Sequence, residues 1–377
     1  MSIVKFSDVA HRVNTKEDRF NTDKIYYVGG EHIDTNELIV TSNGLIKGST
    51  IGPMFYCGFK HGDILFVTRN PHLRKCGLVE FDGICSEKTF VIGTKDTTVL
   101  TQEYLAVVMQ SDDFWNYCEE NKSGGVNYFL NWSTLAEYEF DLPPMEEQIS
   151  ISKKVFAAYR LKQSYQKLIA ATDEMVKSQF IEMFGDPMTN TKEWSEYGKI
   201  NQYAQVILGT TPNSKEASYW DGDIKWITPA EMTDESYYIY DTERHITEDG
   251  VKSASLTLLP YRSVLFSTRA PIGKVGLAGA PMYCNQGFKN FICGEKLNPV
   301  YLYYSLIYKR DYLISLGTGT TFKELSKKTV EGLNIAVPPI HLQNQFESIY
   351  DQADKSKFEL RKSIDAIDAV IKSLING

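Results

Sequence analysis

The 377 residues predict an α+β protein: two similar mixed α/β domains separated by two long antiparallel helices, in a tandem repeat with pseudo-twofold character. Three observations carry that expectation. The chain is too long for one compact core and fits two or three domains of ordinary size. It is written twice, at an offset of 195 to 200 residues. Each copy also ends in a segment whose apolar residues recur every three or four positions behind a Pro-Pro pair.

The repeat is read residue by residue. Leu65-Phe66-Val67-Thr68-Arg69-Asn70-Pro71 returns as Leu265-Phe266-Ser267-Thr268-Arg269-Ala270-Pro271, five of seven positions identical at an offset of 200. At 199, Gly77-Leu78 matches Gly276-Leu277 and Cys85 matches Cys284. At 195, Pro143-Pro144 matches Pro338-Pro339, Gln148 matches Gln343, and six of the twelve residues from Lys167 to Ser178 recur. Order is kept while the offset drifts through small insertions, which is the mark of duplication.

In chain order, residues 1–145 form the first α/β domain. Its β-prone runs, such as Asp63-Ile64-Leu65-Phe66-Val67, are separated by turns at Gly29-Gly30, Asn43-Gly44 and Gly52-Pro53, with a helical patch from Glu103 to Tyr117. Residues 146–187 form the first long helix. The prolines before it suit a helix entry, where a missing N–H costs nothing, and Gly185-Asp186-Pro187 ends it. A helix from Glu146 to Phe184 would be about 58 Å long. Residues 188–339 repeat the α/β domain, with a turn at Asp221-Gly222, a strand at Ser263-Val264-Leu265-Phe266 and a helical patch from Val300 to Leu313. Residues 340–377 form the second long helix.

A narrow apolar stripe of that length needs a partner, and the other copy supplies one. The residues expected to pack between the helices are Ile149, Phe156, Tyr159, Ile169, Val176 and Phe180 in the first, with Phe346, Ile349, Leu360, Ile364, Ile367 and Ile371 in the second. If the copies are related by a twofold, the helices pair antiparallel and hold two heads apart.

Composition narrows the function. Apolar residues make up 42% and charged residues 23%, which excludes a disordered or fibrous chain. Forty basic and 48 acidic side chains leave a net charge of −8, which excludes a polycationic nucleic-acid coat. No apolar run approaches the ~20 residues that cross a bilayer, and the start lacks a signal-type apolar core, so no membrane partner and a cytoplasmic location are expected. The six cysteines show neither a C-x-x-C pair nor zinc spacing, so reduced, packed thiols and no metal are expected.

Catalytic motifs are absent from the sequence. Gly317-Thr318-Gly319-Thr320-Thr321 lacks the Lys-Ser/Thr of a phosphate loop, and there is no G-x-S-x-G or H-E-x-x-H. The Pro-Pro pairs, Leu142-Pro143-Pro144-Met145 and Val337-Pro338-Pro339-Ile340, lack the polar and aromatic residues with which an adenine methyltransferase grips a flipped base. No catalytic residue is therefore expected. Two readers and a spacer remain, suited to a split linear target: the rod exceeds one duplex turn of about 34–36 Å.

Because residues 1–145 carry a net −7, any DNA face must be local. The candidate cations are Lys60, Arg69, Arg74 and Lys75 in the first head and Arg269, Lys274, Lys289 and Lys323 in the second. Arg69 and Arg269 are equivalent in the repeat, which strengthens both. The competing reading is an Arg that ends a strand and pairs with a neighbouring carboxylate.

With the repeat laid out, Phe266-Ser267-Thr268-Arg269-Ala270-Pro271-Ile272-Gly273-Lys274-Val275-Gly276 and Asn285-Gln286-Gly287-Phe288-Lys289 resemble segments of the specificity subunits of type I restriction-modification enzymes. So do Trp226-Ile227-Thr228-Pro229-Ala230-Glu231-Met232, Thr320-Thr321-Phe322-Lys323-Glu324-Leu325-Ser326 and the succession ending in Glu182-Met183-Phe184-Gly185-Asp186-Pro187. The likeness runs the length of the chain.

The resemblance implies that each head is a target recognition domain reading one half of a bipartite site in double-stranded DNA. It implies that the helices set the spacer and dock two modification subunits, which carry S-adenosylmethionine and methylate adenine. Restriction subunits would add ATP- and Mg-dependent translocation and cleavage, leaving this chain non-catalytic and without a cofactor. Asn285 and Gln286 become candidates for base contact, because an amide pairs bidentately with adenine; a turn whose amides satisfy loop backbone is the competing reading. The first head has Cys85-Ser86-Glu87-Lys88-Thr89-Phe90 there instead, so different half-sites and an asymmetric target are expected. The alternatives are a stand-alone DNA methyltransferase or nuclease with diverged motifs, and a coiled-coil scaffold that binds no DNA.

Overall fold

A computed structural model of the chain describes residues 2–234, 236–269, 271–319 and 323–377. The chain divides into two compact units, Met1–Leu168 with Glu359–Gly377, and Ile169–Phe358. The division falls within each long helix, Met145–Phe184 and Ile340–Asn376. The reason lies in the apolar stripes: each half-helix sinks its stripe into the core of its own unit.

Unit 1 is built on a five-stranded sheet in the order Ala10–Val13, Thr89–Thr94, Ile64–Val67, Cys76–Val79, Ile39–Val40, antiparallel except for the last, parallel pair. Unit 2 repeats it as Ala204–Leu208, Lys289–Cys293, Val264–Thr268, Ile272–Ala278, Tyr238–Ile239, with the same directions throughout. Each unit also pairs its first strand with the one before the long helix: Ser2–Lys5 with Glu139–Leu142, and Tyr197–Lys199 with Asn334–Ala336. The duplication seen in the sequence is therefore a duplication of topology.

The continuous apolar runs are explained by burial on both sheet faces. In Ile64–Val67 the alternate residues Ile64 and Phe66 join a core with Leu105, Phe114 and Trp115. Leu65 and Val67 join a second core with Val28, Phe59 and Cys85. In unit 2, Val264 and Phe266 face Tyr301 and Leu302, while Leu265 faces Ile227 and Cys284. Each large sheet thus lies between helices and a small sheet. The helices start where a side chain caps the first turn: Thr101 Oγ1 accepts from the Tyr104 N–H (3.1 Å), and Asn298 Oδ1 accepts from Val300 (2.8 Å) ahead of Pro299.

In unit 1, residues 145–168 and 359–377 run in opposite directions. Val155 is buried in the core that Phe156, Tyr159 and Ile371 pack against, and Lys162 Nζ lies 2.6 Å from Asp368. In unit 2, residues 169–184 and 340–358 do likewise, with Val176, Phe180 and Phe346 buried and Lys357 Nζ 2.7 Å from Asp173. Lys162 and Lys357, like Asp173 and Asp368, are 195 residues apart, so one ion pair is made twice. Of the other expected packing residues, Ile169, Ile349, Leu360, Ile364 and Ile367 are half-buried. Ile149 is the correction: it is 51% exposed, because Gln148 and Ser152 take the inward positions of the first turns.

The first long helix ends at Gly185, whose φ of +66° suits a residue without a Cβ. Beyond it, Asp186 pairs with the Lys309 ammonium and accepts from the Met188 N–H (2.9 Å). Burial pushes the Asp186 carboxyl up, but the hydrogen bonds and charge of Lys309 and Met188 outweigh it and hold it below the usual range. A depressed native pKa stabilises above the unfolded value of about 3.9 and is lost as pH falls through the native value. Asp186→Asn should therefore lower the urea midpoint near neutral pH, with the gap to wild type closing in acid below the normal carboxylate range. A gap that is constant with pH would exclude the ion pair as its cause.

Candidate nucleic-acid interface

In both units the central strand delivers a Thr-Arg pair to the same corner. Thr68 is buried, its N–H and hydroxyl both donating to the Lys88 carbonyl (2.9 and 2.8 Å). Thr268 is buried too, donating to the Gly287 carbonyl in the same way (2.7 and 3.2 Å). The Thr locks the strand end, so the Arg after it emerges half-exposed from a fixed backbone. Arg69 bridges to Phe129 and Arg269 to Glu324, residues that are repeat equivalents.

Their partners differ. The Arg69 guanidinium sits 5.3 Å from the Phe129 ring centroid. Arg269 lies 3.7 Å from the Glu324 carboxylate, which also receives Lys289 at 2.9 Å. The expectation of an Arg paired with a nearby carboxylate thus holds for Arg269, while Arg69 stacks on an aromatic ring.

Beside each Arg stands a loop that residue spacing alone did not single out in the first head. Ser123 and Phe129 exchange two backbone hydrogen bonds of 2.9 Å, and Thr318 and Glu324 do the same at 3.1 and 2.9 Å. Gly124 and Gly319 turn these loops at φ +103° and +127°. Val126, at the tip of the first, is 90% exposed, and Lys122 Nζ lies 4.4 Å over the Tyr128 ring. The signals available were Gly124/Gly319 and Leu130/Leu325, two identities at an offset of 195. Ala270 and Thr320-Thr321-Phe322, which belong to the segments of resemblance, lie outside the described residues.

The other candidate cations fall into two groups. Lys60 and Lys323 are exposed, with no carboxylate in ion-pair reach among the described residues, and Arg69 also lacks one. The rest have intramolecular partners. Lys75 donates to the Gly30 carbonyl (2.6 Å) and Lys274 to those of Pro229 (3.0 Å) and Met232 (2.5 Å). These equivalent lysines tie the corner to equivalent 3-10 turns, Gly30–His32 and Pro229–Glu231. Arg74 pairs with Asp112 at 2.7 Å.

Lys289, expected at the DNA face, lies inside at 4% exposure, its ammonium bonded to Thr268 (2.9 Å) and Glu324. The register explains this, because Lys289 occupies the inward sheet position that Phe90 fills in unit 1. Asn285 folds its amide oxygen onto the Gly287 N–H (2.8 Å), the turn geometry that was the competing reading, and exposed Gln286 receives the Thr211 hydroxyl.

Among the described residues no group of three or more His, Cys, Asp or Glu side chains is arranged to hold a metal ion, and no helix is long and apolar enough to cross a membrane. All six cysteines are free thiols. What the corner can do is present a cation and a short glycine loop from a rigid sheet edge, once in each unit.

Comparison with known proteins gives that arrangement a context. Residues 191–367 match the family model of the type I restriction modification DNA specificity domain. The chain is 35% identical over 189 residues to the type I restriction enzyme MjaIX specificity subunit of Methanocaldococcus jannaschii, a match covering 49% of this chain and 44% of that subunit. In that alignment the chain spans less than half of its relative. It is 24% identical over 319 residues to the EcoR124I/EcoR124II specificity subunit of Escherichia coli, covering 71% of this chain and 78% of the relative. The crystal structure of the type I restriction-modification S subunit from M. genitalium shares the fold, with a TM-score of 0.64 at 12% identity over 99% of this chain and 94% of that one.

Proposed function

We propose, from the premise that this chain belongs to the family of type I restriction-modification specificity subunits, that it selects the DNA sequence on which a restriction-modification complex acts. The observation that carries the reading is one topology built twice, each copy presenting the same Thr-Arg corner with different side chains around it. Each unit reads one half of a bipartite site, and because Phe129 stands where Glu324 does, the halves differ and the site is asymmetric. The cations position phosphates, and loop side chains read base edges.

In this reading the chain is not itself an enzyme and carries no cofactor. Two modification subunits dock on the long helices, and the exposed Ile149, Leu161, Met175, Phe358 and Val370 there support such a surface. Those subunits bind S-adenosylmethionine and methylate adenine; restriction subunits, where the complex includes them, bind ATP and Mg. The complex works in the cytoplasm.

The test is a modified-base map of DNA from cells expressing the chain with its modification subunit. The expected result is methyladenine in two unlike short sequences separated by a constant gap. A palindromic motif would overturn the asymmetry. Methylation or cleavage by the purified chain alone, supplied with S-adenosylmethionine or Mg, would overturn the division of labour. Failure to bind DNA in the presence of the modification subunits would favour a scaffold.

A further inference from the structure

The two units share a small sheet but finish it differently. In unit 2, Trp226-Ile227 runs parallel to Tyr283-Cys284, and His245–Ile246 pairs on the other side. The outer part of that sheet is closed: Ile246 is fully buried with Trp220 and Trp226, and Ile224, Val251 and Leu256 pack over them. The helix Glu248–Ser253 follows directly and supplies Val251. In unit 1, Tyr26–Val28 runs parallel to Gly83–Ser86, and Gly44–Leu45 pairs on the other side. The registers make Ile25 equivalent to Ile224, and Ile46 to Ile246.

Among the described residues no buried apolar cluster includes Ile25 or Ile46. No helix follows Lys47; the chain turns at Gly48, φ +83°, and Ser49 bonds back to the Ile46 carbonyl. Ile25 is 61% exposed and Phe20 83%. Between them opens a groove of about 750 Å³. Its lining includes Arg19, Lys24 and Lys47 and no carboxylate, within a stretch of 145 residues whose net charge is −7. Lys24 is paired with Asp82 at 3.1 Å. Arg19 stacks 4.2 Å over the Phe20 ring, and neither it nor Lys47 has a carboxylate in ion-pair reach among the described residues.

An occupant must therefore be anionic along its edges and flat and apolar between them. Duplex DNA has that chemistry: phosphates draw unpaired cations, and sugars, base edges and thymine methyl groups suit apolar side chains. We propose that this groove of unit 1 seats DNA and reads the first half-site, with Arg19 and Lys47 on phosphates and Phe20 and Ile25 against sugar and base edges. The inference rests on the DNA-reading role proposed above and deepens it. Because its counterpart in unit 2 is filled by side chains of the protein, unit 2 reads its half-site with another surface.

The experiment uses the full chain assembled with its modification subunits, and three duplexes: the wild-type motif, one with the first half scrambled and one with the second half scrambled. Arg19→Ala/Lys47→Ala is expected to lose at least tenfold in affinity for the intact motif. Scrambling the first half should then cost the variant less than it costs wild type, while scrambling the second half costs both the same. Lys47→Glu alone should act in the same direction. Unchanged affinity, or a loss that ignores which half is scrambled, overturns the groove while leaving the DNA-reading role standing. If the variants fail to assemble with the modification subunits, the groove seats protein and the proposal is wrong. If wild type itself shows no sequence preference, the underlying role fails instead.

Discussion

Phe180→Ala should destabilise unit 2 by about 3–5 kcal/mol, the range for emptying a large aromatic site in a core. Phe180 is fully buried, and its ring centroid lies within 6.0 Å of five others: Phe184 (5.2 Å), Tyr301 (5.8 Å), Tyr304 (4.9 Å), Tyr308 (6.0 Å) and Phe346 (5.1 Å). These rings come from both long helices and from the helix Pro299–Tyr308, so the void would open where three elements meet and none can collapse alone. The repeat supplies a control. Ile375 stands 195 residues on, is only half-buried, and packs at the edge of the unit 1 core. Ile375→Ala should cost distinctly less. Urea unfolding followed by aromatic fluorescence checks both, and equal losses would mean that the cluster is not the keystone described here.

The second large effect is expected at a polar residue. Gln148 and Gln343 are buried at 1% and 0% exposure, at the same turn of the two long helices. Gln148 Nε2 donates to the carbonyls of Val99 (3.0 Å) and Pro143 (2.9 Å), and Oε1 accepts from the Thr101 N–H (3.1 Å). Gln343 does the same with Lys296 (2.9 Å), Pro338 (2.6 Å) and the Asn298 N–H (2.8 Å). One side chain thus ties the Pro-Pro entry of a long helix to the cap of a short one. Alanine would strand three backbone groups, each costing about 1–3 kcal/mol when buried and unpaired. A loss of about 3 kcal/mol or more is expected for either Gln→Ala variant, read as a fall in urea midpoint. Glu at the same site should not rescue it, because a carboxylate cannot donate to two carbonyls. A loss below 1 kcal/mol, or full recovery with Glu, would count against the clamp.

That clamp is visible in the sequence as a Gln recurring four residues after a Pro-Pro pair, though its meaning is not. The same holds elsewhere. The identity of Thr68-Arg69 with Thr268-Arg269 marked a shared corner, and the structure shows the buried Thr that creates it. Charge alone places Lys289 on the surface; strand pairing sets it where Phe90 stands in unit 1, with Glu324 receiving its ammonium. The loop Ser123–Phe129 shares one identity in seven with its counterpart, Gly124 with Gly319, since a loop held by backbone bonds and one glycine needs little else. The groove beside Phe20 left no local signal, because an open face differs from a covered one only in what a distant segment does.

What the amino-acid order determined by itself was whatever repeats or oscillates along the chain: two copies of one domain, two long helices behind proline pairs, and the strands between. Those features rest on local backbone preference and on apolar periodicity, both properties of neighbours in sequence. Tertiary structure alone decided which cations stay open to solvent, which sink onto carboxylates or carbonyls, and which copy leaves its small sheet uncovered. A side chain's partner is set by segments dozens of residues away, and its charge is felt by water only where those segments leave room.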